Sequence, residues 1–298
     1  SSLNMKPFIN LVILIACMLK TQGQQKSMLD ELTDSSQQTQ KISGAFKSTR
    51  VINAHSIEML GKGSLDIRIL HRFGLVNQGI KQLFGLDQAS MRMGADYGIT
   101  KNMMVGLGRS TFRKEIDAFA KIRFLQQSTG FKAVPVSVLA AFGTSVWTEQ
   151  SFDSIKPQFF DRSTYYFQLI IGKKITTSFS LQASPIVLYS QRADNVGSQN
   201  TVVALGGGGR AKISKRIAIT IDYHHILGPK ITGYKSPLSV GIDIETGGHV
   251  FQLHFSNAVG MNERAYISQT TDNFFKGDIR FGFNLSRLFF IAKKKKQQ

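Results

Sequence analysis

From residue 63 to residue 290 the chain is written in twos. Leu65, Ile67 and Ile69 alternate with Asp66 and Arg68, and Ile116, Ala118, Ala120, Ile122 and Phe124 with Glu115, Asp117, Lys121 and Arg123. Ile217, Ile219, Ile221 and Tyr223 alternate with Thr220, Asp222 and His224, and Leu238, Val240, Ile242 and Ile244 with Ser239, Gly241, Asp243 and Glu245. Ile279, Phe281, Phe283 and Leu285 alternate with Arg280, Gly282, Asn284 and Ser286. Successive side chains on a strand point to opposite faces, so each segment has one apolar and one polar face.

Such segments recur at 63–73, 89–99, 102–112, 115–126, 135–148, 163–172, 176–189, 200–211, 216–226, 238–246, 248–258 and 277–290. A soluble sandwich shows the same alternation with its apolar face turned inward. The segments run about ten residues, the length a tilted strand needs to cross a bilayer. Aromatic residues recur near segment ends, at Phe73, Tyr97, Phe112, Trp147, Tyr165, Tyr189, Tyr223 and Phe289, where interfacial girdles lie in membrane barrels. The spacing therefore predicts an all-β, antiparallel, up-and-down transmembrane β-barrel over 63–290, of about twelve strands, with fourteen the alternative. Long connections (74–88, 149–162, 190–199, 227–237, 259–276) fall on one side and short ones, such as 100–101 and Gly247, on the other. Bacterial barrels place their short turns in the periplasm and their long loops outside. Between the two lie an irregularly short outer hairpin at 113–114 and a medium connection at 127–134.

The N-terminus supports export. Met5-Lys6 reads as a start with a basic n-region, after residues 1–4 that lie upstream of it, and Phe8 to Leu19 is apolar apart from Asn10. That run is too short to span a bilayer, which takes roughly 20 residues, and fits a secretory signal peptide over 1–23. The single cysteine, Cys17, lies in this run, where lipidation or an ordinary place in the h-region are both open. Residues 24–45 are rich in Gln, Ser, Thr and Lys and form a flexible polar lead-in. Residues 46–56 have strand character, but a thirteenth strand breaks the parity; for 46–62 a periplasmic, rim or lumen-plugging position is open. Residues 291–298 form a basic periplasmic tail.

The net charge of +18 raises the question of nucleic acid. The charges are scattered, the only dense run is Lys293 to Lys296, and no nucleic-acid signature is present, so no nucleic-acid partner is expected. The expected partners are outer-membrane lipids and the barrel-assembly machinery, with a periplasmic or surface protein left open.

On the polar faces, Asp66, Arg68, Arg92, Asp96, Glu115, Asp117, Lys121, Arg123, Asp222, His224, Asp243, Glu245, His254 and Arg280 are the candidate lumen lining. They read either as a selectivity lining for a polar solute or as salt-bridged ladders that fill a narrow barrel. No cofactor is expected. A metal would need partners from different strands, such as His224 and His254 with Asp243 or Glu245; lumen hydrogen bonding explains these residues as well, so no metal is assigned. Ser239 and Ser256 share the inner face with His224, His254 and Asp222; a barrel hydrolase is the minor alternative, and no enzyme is expected. Gly206 to Gly209 lacks the Gly-Lys-Ser ending and following helix of a phosphate loop, and suits curvature or the close approach of a plug.

Phe46 to Asn53, His55-Ser56-Ile57-Glu58, His71-Arg72-Phe73-Gly74, Gly85-Leu86-Asp87-Gln88, Tyr97-Gly98-Ile99-Thr100, Gly108-Arg109-Ser110, Asp243 to His249 and Lys276 to Gly282 together resemble a β-barrel family of Bacteroidetes-type bacteria. This is the family catalogued as domain of unknown function 5777. The resemblance covers most of 46–290 and implies an outer-membrane barrel, without an activity to carry over. The basic tail after Phe290 departs from the terminal aromatic residue that barrel assembly often reads. A channel or transporter for small polar solutes or lipids is the leading expectation. A non-conducting scaffold or binding barrel is the alternative.

Overall fold

The computed structural model describes residues 39–150, 157–192, 200–228, 233–246 and 249–291. The expected signal peptide with Cys17, most of the lead-in, the Gly247 turn and the Lys293 to Lys296 run lie outside these residues.

Among the described residues, twelve strands close into one antiparallel ring. They are β1 (Ser64–Leu75), β2 (Ala89–Thr100), β3 (Met103–Ser110), β4 (Ile116–Leu125), β5 (Ser137–Val146) and β6 (Ser163–Lys174). They continue with β7 (Phe179–Ser190), β8 (Thr201–Lys212), β9 (Ile217–Leu227), β10 (Leu238–Thr246), β11 (His249–Ser256) and β12 (Arg280–Phe290). Each strand pairs with its neighbours in sequence, and β12 returns to β1 with Phe290 opposite Ser64. Closure leaves the barrel without a free edge, so every strand finds its ladder partners inside the sheet. The chain enters and leaves at one rim, here the near rim; the long connections stand on the far rim.

The apolar faces point outward. Leu107 is 64% exposed, Leu205 48%, and Ile219 and Phe255 44% each, as part of a belt that runs round the ring. A soluble protein rarely exposes apolar surface on this scale, whereas a barrel in lipid requires it. Ile242 belongs to the belt, and Phe281 stacks outside on Phe73 and packs at a tilt against Phe255. Strand limits depart from the pattern where turns intervene. β3 stops at Ser110 because Arg113 and Lys114 take left-handed φ values of 51° and 50° in the short far-rim hairpin. β12 starts at Arg280 because Phe274–Lys276 is a 3-10 turn closed by Gly277 at φ 84°.

The inside is filled by two stretches of chain. Phe46–Leu60 enters from the near rim and has almost no regular structure. It reverses in one tight turn, closed by Val51 N–H to Ala54 O at 2.8 Å and Ser56 N–H to Thr49 O at 2.9 Å. The tip, Ile52 to Ala54, is fully buried. From the far rim, the long connection after β11 folds inward. Asn257–Ile267 is buried apart from partly exposed Val259, and it carries one short helix, α1 (Glu263–Ser268), capped by the Asn262 side chain on Ala265 N–H. At the near rim, Gln40–Lys41 pairs with Ser128–Thr129 of the connection between β4 and β5.

Candidate functional site: the plugged lumen

A chain without regular structure carries backbone donors and acceptors that must be paired when buried. The barrel wall supplies the partners. Lys121 Nζ donates to the carbonyls of Glu58 (2.7 Å) and Thr49 (3.2 Å), and Arg123 donates to Ile57 O at 3.3 Å. Gln252 donates to Val51 O, Asn284 to Ile52 O and Gln182 to His55 O. The tip is held by one carboxylate: Asp222 Oδ2 accepts the N–H groups of Asn53 (2.8 Å), Ala54 (2.9 Å) and Ile52 (3.3 Å). Successive N–H groups converging on an anion form a nest, and bonds to a charged acceptor are roughly twice as strong as neutral ones. A further requirement is space. A Cβ on Gly208 would stand 2.9 Å from Val51 Cγ2, so the glycine lets the plug lie against β8.

The other lumen candidates fall into groups. Arg68 reaches Asp66 and Asp96 at 3.5 and 3.6 Å, and also donates to Ser48 and to Thr49 Oγ1 on the plug. Arg92 holds Asp117 in a two-pronged pair across β2 and β4. Asp243 accepts from Gln252 at 2.6 Å and lies 3.6 Å from Arg210. Glu245 pairs with Lys47 at the near rim, and Arg280 with Asp272 at 2.7 Å at the far rim. Glu115 accepts from Asn262 and Arg264 of the far-rim segment. The wall charges therefore both pair across strands and grip the two inserted segments.

The two segments meet. Glu263 of α1 binds Arg50 of the plug at 2.7 Å and lies 3.3 Å from His55, all three side chains buried. Arg72 donates to Asn53, to Ala258 O at 2.8 Å and to His254 Nε2 at 2.9 Å, so one wall residue holds both segments. His224 faces Asp222 at 3.4 Å and packs edge-on against the Tyr266 ring. The histidines are thus dispersed, and among the described residues no group of three His, Cys, Asp or Glu side chains is arranged for a metal. Ser239 and Ser256 bond to each other at 2.8 Å; Ser239 also accepts from Asn53, and Ser256 accepts the N–H of Ala258 at 3.1 Å.

Arg72 and Arg210 were not singled out from the sequence. Arg72 shares the face of Asp66 and Arg68 and could have been found by parity; Arg210 follows a glycine run that hides the alternation. Glu263 and Arg264 lie on a segment without a period, and no local signal marks them; Arg50 lies in the strand-like stretch Phe46 to Ser56, whose pattern does not disclose its partner.

The model of the membrane-bound β-barrel domain family, domain of unknown function 5777, matches residues 46–289, a span that takes in the plug as well as the ring. No curated protein matches the chain. Among solved structures, a NanC porin is 10% identical, with 76% of this chain and 100% of that one covered, at a TM-score of 0.48. A KdgM porin is 10% identical over 76% of this chain and 99% of its own, at 0.46. The translocator domain of the autotransporter NalP from Neisseria meningitidis is 13% identical over 77% and 89%, at 0.36. With the ring closed and its lumen occupied by the very segment at which the family match begins, the chain belongs to the membrane-bound β-barrel domain family catalogued as domain of unknown function 5777.

Proposed function

We propose that the protein is an outer-membrane channel for small polar solutes, shut at rest by its own N-terminal segment. The near rim is then periplasmic and the far rim external. The observation that carries this reading is the way the plug is held: its backbone is bonded to polar and charged wall side chains, with Asp222 at the tip. Water can take over each of these bonds when the plug leaves, and the wall left behind is hydrophilic. An apolar plug on an apolar wall would have no such exit. Withdrawal toward the periplasm clears the part of the lumen lined by Arg68, Asp96, Lys121, Asp222 and Asp243, and conduction also requires Asn257–Ile267 to swing outward. The test is current through planar bilayers holding the refolded full chain. Wild-type protein should be mostly silent with rare openings, and Asp222→Ala should open more often. Silence of both supports the second reading, a non-conducting scaffold, which the buried Arg50–Glu263 link between the two inserted segments favours.

A further inference from the structure

On the outer wall, away from the lumen, the belt of apolar side chains is interrupted by a trough of about 460 Å³. It crosses β6 to β9, with Ile171, Leu181 and Ile221 along its sides and Lys173 on its lining. Its floor is Gly207 and Gly209, whose parity on β8 puts them on the lipid face. Lys173 is the penultimate residue of β6, so the cation sits where the trough meets the near rim. Tyr223, further along β9, lies toward mid-barrel.

Neither backbone nor packing requires a glycine at 207. Its φ is not among the positive values, and a Cβ built there meets nothing within 4 Å. At Gly209 a Cβ would stand 3.0 Å from Ile221 and 3.3 Å from Leu181, so the walls lean in over the floor. The missing side chain at 207 keeps the trough open, and its size lies within the roughly 300–1,000 Å³ usual for ligand pockets.

The geometry points to a phospholipid site: one acyl chain lies in the trough over Gly207, and an anionic headgroup meets Lys173 at the near-rim interface. Apolar burial alone cannot select such a lipid, because the bilayer solvates an acyl chain as well as the trough does. Retention comes from shape, as in helix packing inside membranes, and from the phosphate–ammonium contact. A single cation near the surface gives about a fivefold preference for an anionic over a zwitterionic headgroup.

The experiment is native mass spectrometry of the full chain, released from detergent micelles doped with equal amounts of phosphatidylglycerol and phosphatidylcholine. Wild-type protein should keep one phosphatidylglycerol in preference to phosphatidylcholine by about fivefold. Gly207→Leu fills the trough and should lose the bound lipid of either kind, whereas Lys173→Gln should keep a lipid but lose the preference. Ala95→Leu, on the lipid face of β2, is the control and should behave as wild type. Heat-modifiable migration on gels reports that each variant is folded. Equal retention of the two lipids by wild type, or undiminished retention by folded Gly207→Leu, overturns the proposal.

Discussion

Asp222→Ala is the sharpest perturbation of the plug. The substitution removes the acceptor of three consecutive backbone N–H groups, two of them at 2.8 and 2.9 Å and the third at 3.3 Å. A buried donor left unpaired costs roughly 1–3 kcal/mol, so the two short bonds together are worth about 2–6 kcal/mol. Water that enters the lumen recovers part of this, which places the net effect near 3 kcal/mol. Each 1.4 kcal/mol is a factor of about ten, so the undocked population should rise roughly a hundredfold. The loss falls on the plug and not on the ring, because β9 keeps its ladder bonds to β8 and β10. The assay is maleimide labelling of Val51→Cys in a Cys17→Ser background, since Val51 is buried when the plug is docked. Labelling slower than redocking tracks the undocked population. A folded Asp222→Ala protein that labels at the rate of its parent would refute the assignment of Asp222 as the tip anchor.

Three further outcomes follow from the same structure. Ile221→Arg puts a charge on the lipid face near the middle of β9 and should cost about 2–4 kcal/mol, seen as loss of the compact, heat-modifiable band on refolding into lipid. Glu263→Ala leaves Arg50 as an unpaired buried charge at about 3–5 kcal/mol, while adding Arg50→Leu should restore much of the loss; equal proteolysis of Asn257–Thr270 in the single and double variants would count against the link. Gly208→Val places a methyl-bearing carbon against Val51 and should loosen the plug by about 1–3 kcal/mol, read as faster labelling at Val51→Cys.

The ring was legible because a period of two is a local signal. Any one segment, such as Ile217 to Tyr223, discloses both its faces, and the pattern repeats through all twelve strands. The strand number followed from counting, and closure followed from the need to pair every edge. The lumen residues were legible for the same reason, since Asp66, Lys121 and Asp222 sit on polar faces. What those charges do was not. Their partners lie on chain without periodicity, and the contacts are remote: Arg50 and Glu263 are separated by 213 residues. Two readings of the charges stood open, a selectivity lining or cross-strand ladders. The structure shows ladders such as Arg92 with Asp117, together with side chains such as Lys121 that bind the plug backbone. The inward fold of Asn257–Ile267 was hidden for another reason. A long connection signals loop length only, and nothing in Asn262-Glu263-Arg264 distinguishes an inserted helix from an external one.

One cross-link tests most directly whether the plug is the gate. Val51 and Gly208 approach closely enough for a disulfide to bridge them. Val51→Cys with Gly208→Cys, in the Cys17→Ser background, should show no openings in planar bilayers when oxidised and should regain openings at least as frequent as those of the wild type when reduced, with the change reversible in a single experiment. Conductance that persists unchanged in the oxidised protein, or silence in both states, contradicts the claim that withdrawal of Phe46–Leu60 opens the barrel.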